Sequence, residues 1–99
     1  MSRLLFPMLV LFIVFSQPVV GADFKKGMDA YKLGDYATAF REWEPLAIQQ
    51  DNLPAQNGLG MLYKYGLGVS QNYKIAIEWY KIAANNGMGL AQYNLALSH

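Results

Sequence analysis

The glycines of Gly66-Leu67-Gly68 have a spacing that could let a backbone curl around a phosphate. Loops that do this leave a β-strand and open a helix in a βαβ unit, and no strand pattern precedes this one, so the glycines are read as turn residues. Glu42 and Glu44 could be a general acid and base, but residues two apart on a helix point to different sides and cannot converge on one bond. They are read as solvated charges. Of the serines beyond the apolar leader, Ser70 falls in a loop and Ser98 at the terminus, and neither has a base positioned to take its proton. His99 ends the chain with no second nitrogen ligand or nearby carboxylate, so no metal site is expected. Trp43, Trp79, Tyr63 and Tyr80 could stack on a sugar or a peptide, yet at helical spacing they are expected to pack between layers. The sequence thus offers no catalytic, cofactor-binding or metal-binding residues, and the chain is not read as an enzyme.

The 99 residues have room for one small domain. Arg3 is followed by an apolar run from Leu4 to Phe15, broken only by Pro7. Val20-Gly21-Ala22 then places small side chains where a signal peptidase reads them, so residues 1–22 are expected to be a signal peptide cut after Ala22. A membrane anchor would need roughly 20 apolar residues, more than the run supplies, so contact with the membrane is expected only in transit. Export to a periplasm or to the outside follows from this reading. Removing Arg3 from the 8 bases leaves 7 against 7 acids, a formally neutral mature part. The lysines are scattered among acids, without the basic patch that nucleic-acid binding requires. The chain has no cysteine, so packing alone must hold the exported domain.

Beyond Ala22 the apolar residues recur at helical steps. Asp35-Tyr36 through Ala47 lies over Asn72-Tyr73 through Ala84 at an offset of 37. In each copy an Asp or Asn stands where a helix N-cap is needed. One apolar stripe follows, Tyr36, Ala39, Phe40, Trp43, Leu46 and Ala47 in the first copy and Tyr73, Ala76, Ile77, Tyr80, Ala83 and Ala84 in the second. A second echo, Pro54 to Leu59 against Leu90 to Leu95, has an offset of 36, and periods of this size mark stacked helix pairs. Helices are expected over 24–33, 36–49, 54–65, 73–85 and 89–98, with turns at Gly34, at Gly66-Leu67-Gly68 and at Asn85-Asn86-Gly87. Pro45 should bend the second helix, whereas Pro54 suits a helix start.

Leu59-Gly60-Met61-Leu62-Tyr63, Gly66-Leu67-Gly68-Val69, Trp79-Tyr80, Ala83-Ala84, Gly87 and Ala91-Gln92 together resemble a Sel-1-like repeat. The resemblance, which extends to tetratricopeptide repeats, implies an all-α fold, a right-handed α-solenoid of antiparallel helix pairs. It covers residues 23–99, with one full repeat at about 55–90, a degenerate repeat before it and a partial one after it. The chain stops at Ser98-His99, short of the loop and second helix of the last unit, so one alternative is a truncated remnant of a longer array.

Members of that family generally act as adaptors or scaffolds, so the resemblance implies a non-catalytic module that binds a protein or peptide in its groove. The first helix of each unit lines the concave side in the family, which makes Asn57, Met61, Lys64, Tyr93 and Leu97 the candidate contact residues. Cysteine-rich exported relatives suggest a different alternative, a hydrolase or a binder of cell-wall or β-lactam ligands, which the absence of cysteine here weakens. Each unit covers its apolar face only against its neighbours. The last helix is therefore expected to leave part of Leu90, Tyr93, Leu95 and Leu97 open, which invites a partner or self-association.

Overall fold

The computed structural model describes residues 21–98. The expected signal peptide falls almost wholly outside the described residues, as does His99. Five helices and no strand occur among the described residues: α1 Phe24–Lys32, α2 Tyr36–Gln49, α3 Leu53–Tyr65, α4 Tyr73–Asn85 and α5 Gly89–Leu97. The helix starts and ends agree with the periodicity to within one residue. Each helix packs on the next in sequence, α1 on α2, α2 on α3, α3 on α4 and α4 on α5. The protein is an all-α solenoid of stacked helix pairs.

Local chemistry explains where the helices begin. Asp35 Oδ1 accepts from Thr38 N at 3.2 Å, and its counterpart Asn72 Oδ1 accepts from Ile75 N at 3.0 Å, the two caps expected from the repeat. Two further caps sit at Asp23, which accepts from Lys25 N at 2.8 Å, and at Asn52, which accepts from Ala55 N at 2.9 Å. Because Asn52 caps α3, the helix opens at Leu53 and Pro54 lies in its first turn, where no backbone donor is needed. Pro45 stands within α2, which continues past it to Gln49.

Helix ends rely on left-handed residues. Gly66, with φ of 67°, closes α3. Gly68, at φ of 72°, lies so close to the backbone of Tyr36 that a Cβ there would approach the Tyr36 carbonyl carbon to 2.9 Å. The long loop after α3 thus rests directly on the start of α2, tying one helix pair to the next. The corresponding connection between α1 and α2 is only residues 33–35, against residues 66–72 after α3. The first pair therefore lacks the longer loop of the second.

The core alternates between the pairs. Ala39, Trp43, Leu46 and Ala47 of α2 pack with Ala55, Leu59 and Leu62 of α3, all at most 5% exposed. Small alanines at the seams let the helix axes approach closely, while one aromatic side chain per pair fills the space between them. The second aromatic is Tyr80, 1% exposed like Trp43 and one repeat of 37 residues away. A smaller cluster of Ala83, Ala84 and Ala91 joins α4 to α5.

Candidate functional site

The site grows out of the way Trp43 is seated. A Cβ at Gly58 of α3 would approach ring atom Cε3 of Trp43 to 2.6 Å, and a Cβ at Gly27 of α1 would overlap the same indole from the other side. Two glycines therefore form a slot that only the bare backbone leaves open. The indole Nε1 donates to Phe24 O at 3.1 Å, which satisfies its one donor. Phe24 stacks on the indole with centroids 5.6 Å apart, and Tyr31 lies 5.9 Å away. Gly60 repeats the arrangement toward Tyr80, whose ring would clash with any side chain at that position. Gly27 precedes Trp43 by 16 residues and Gly60 precedes Tyr80 by 20, the difference being the longer loop of the second unit.

Above this floor lies a groove of about 230 Å³. Phe24, Met28 and Tyr31 line it from α1, at i, i+4 and i+7 along one stripe. Trp43 closes it from α2, Pro54, Asn57, Gly58 and Met61 line it from α3, and Met88 and Leu90 line it from the start of α5. The first helices of three successive pairs thus share one apolar trough. Three methionines, Met28, Met61 and Met88, contribute flexible, polarisable side chains that can conform to an entering surface.

Two of the five sequence-proposed residues, Asn57 and Met61, line this groove. Asn57 is not the open contact residue that its position suggested. It is 3% exposed, its Oδ1 accepts from Asn94 Nδ2 at 2.9 Å, and its Nδ2 lies 3.9 Å from the Met61 sulfur. It bridges α3 to α5, because a buried amide needs partners and the following unit supplies one. Lys64 is half-buried one turn beyond Met61, with Nζ 5.4 Å from the Tyr65 ring centre. Tyr93 and Leu97, at 62% and 58% exposed, stand on α5 away from the groove lining. The residues overlooked in the sequence are Phe24, Met28, Tyr31, Met88 and Leu90. The i, i+4, i+7 stripe of α1 was the available signal.

Glu42, expected to be a solvated charge, is instead placed at the start of α1. Its Oε1 accepts from Asp23 N at 3.0 Å, its Oε2 lies 3.6 Å from Lys26 Nζ, and its side chain is 12% exposed. A carboxylate there favourably faces the unpaired N–H groups of α1. Of the other aromatics, Trp79 packs half-buried on the Trp43 cluster, and Tyr63 meets Phe40 edge to face at 6.2 Å. Gly66-Leu67-Gly68 is a turn, as its lack of a preceding strand implied.

Burial raises the Tyr80 hydroxyl to about 12 and pushes that of Tyr31 upward as well, so both stay protonated at neutral pH. Among the described residues no three metal-ligating side chains gather, and no helix is long and apolar enough to cross a membrane.

Comparison with known proteins bears on one segment of the chain. Residues 53–88, which run from the start of α3 to the cap of α5, match the Sel1 repeat model. A sel1-like repeat-containing protein of Acanthamoeba polyphaga mimivirus is 44% identical to the chain over 41 residues. The match covers 41% of this chain and 8% of that relative. No solved structure matches. Repeat spacing, glycine-seated aromatics and the matched segment agree that residues 53–88 are similar to a Sel1 repeat.

Proposed function

We propose that this protein is an exported, non-catalytic interaction module that receives a peptide or protein segment in the groove between α1, α3 and α5. Sel1 repeats are helical scaffolds associated with protein–protein contacts, which supports the class of function. The single observation that carries the finer reading is the apolar trough over Trp43, lined by three methionines at the first helices of three successive pairs. An apolar groove on a helical repeat favours an extended or helical segment with a large apolar anchor.

The test is affinity capture with the native protein and with Met61→Glu. Met61 is half-exposed and lines the groove, so a charge there blocks an apolar guest without entering the Trp43 core. Specific partners should be recovered by the native protein and lost with the variant. Equal recovery would exclude the groove as the binding surface. Export is tested separately by N-terminal sequencing of the secreted or periplasmic protein, with Asp23 expected as the first residue.

The outer face of α5 supports a second contact, self-association. Tyr93 and Leu97, outside the groove lining, are 62% and 58% exposed. Tyr93 stands one repeat of 36 residues after Asn57, which α5 covers through Asn94, and a helix of a second copy laid on Tyr93 and Leu97 would cover them in the same way. Sedimentation across a wide concentration range should show a dimer that Leu97→Glu abolishes; a monomer throughout would remove this contact.

A further inference from the structure

The groove's charge surroundings specify its guest more closely than its apolar lining does, and this deduction rests on the groove reading just given. Lys25 is held by Asp29 at 3.0 Å and Lys26 by Glu42 at 3.6 Å. Lys32 and Lys64 have no carboxylate partner among the described residues. Both stand in the last turn of a groove-lining helix, Lys32 in α1 and Lys64 in α3. Each continues the lining stripe of its helix: Lys32 is four residues beyond Met28, and Lys64 three beyond Met61. Neither α3 nor α5 carries any acidic residue. Part of this charge complements the C-terminal ends of the two helix dipoles. Neither lysine forms an ion pair among the described residues: Asp29, one turn before Lys32 on α1, is engaged by Lys25, and the Lys64 ammonium lies 5.4 Å from the Tyr65 ring centre.

The trough itself sets the size of the anchor. An apolar cavity of roughly 150 Å³ takes a benzene ring, so the groove of about 230 Å³ holds one phenyl or leucyl side chain and no more than a little beyond it. We propose that the guest is an apolar–acidic peptide segment, with one Phe or Leu side chain in the methionine-lined trough and an Asp or Glu carboxylate over Lys32 and Lys64.

Four fluorescein-labelled synthetic peptides of equal length test this with the purified full chain: Phe flanked by aspartates, Phe flanked by lysines, Phe flanked by serines, and Ala flanked by aspartates. The Phe–aspartate peptide should bind at least tenfold more tightly than the other three. Its affinity should fall as salt is raised from about 0.05 to about 0.5 M, because exposed charge pairs are screened over this range. Lys32→Glu together with Lys64→Glu should reverse the preference between aspartate and lysine peptides. Circular dichroism should show retained helicity, since Lys32 is exposed, Lys64 is partly exposed and neither belongs to the buried core. Three Phe peptides of equal affinity would overturn the charge assignment while leaving the groove reading intact. Absence of binding by every peptide, with Met61→Glu also silent in affinity capture, would overturn both. Release of a dimer by the Phe peptides without regard to their charge would assign the trough to a second copy and also overturn the proposal.

Discussion

At the scale of single residues, Trp43 is the side chain on which the groove depends. Its ring is 1% exposed, caught between Gly27 and Gly58, and its one polar atom is satisfied by Phe24 O. Trp43→Ala should destabilise the protein by about 3–5 kcal/mol, measured by chemical denaturation. Gly58→Ala should be costly for the opposite reason, since overpacking against a rigid indole typically costs about 1–3 kcal/mol; an unchanged denaturation midpoint would show that the slot is looser than its geometry. Tyr80 carries a pH prediction. Its hydroxyl is raised to about 12 from 10.0 by burial, so the unfolded chain gives up its proton first as pH rises. Its stability contribution is intact below pH 10 and is lost as pH climbs from 10 toward 12. Denaturation curves over that window should flatten in Tyr80→Phe relative to the native protein. Asn57 shows the limit of reading at this scale: helical position alone placed it on the open face, but Asn94, 37 residues later, occupies its amide.

At the scale of elements, the helices are specified by their ends. Asp35 and Asn72 are equivalent caps of equivalent helices, with bonds of 3.2 and 3.0 Å. Asp35→Ala or Asn72→Ala should each cost about 1 kcal/mol, seen as a lower melting temperature with unchanged helicity at room temperature. The Asp35 carboxyl sits below its ordinary value chiefly because it accepts hydrogen bonds from Thr38, so this cap should weaken as pH falls through the carboxylate range. The stripes on α2 and α4 were legible because their period is intrinsic to a helix. Glu42 was misread because its value comes from another helix: the start of α1 lies beside α2, and only packing brings Asp23 N within 3.0 Å of it. Glu42→Ala should therefore loosen the first turn of α1, with faster amide exchange at Asp23, Lys25 and Lys26.

At the scale of the whole molecule, repeat arithmetic translates into a stack. Sequence alone determined the helical class, the five segments, the turn glycines, the caps of α2 and α4 and the period of 36–37 residues, because these follow from local backbone preferences and from a side-chain pattern that repeats along the chain. It also fixed which aromatics pair up across the repeat, Trp43 with Tyr80. What it did not determine is the groove. Phe24, Met28, Tyr31, Met61, Met88 and Leu90 come from three separate elements, and their convergence depends on how closely the helices approach, which the bare glycines at positions 27 and 58 set against one indole. Tertiary structure alone decided that Asn57 would bridge helices, that Glu42 would hold the start of α1, and that Tyr93 and Leu97 would stand apart from the trough. The physical reason is the same in each case: a helix dictates the direction of its own side chains, but which of them meet a partner is fixed by the neighbour that packs against it.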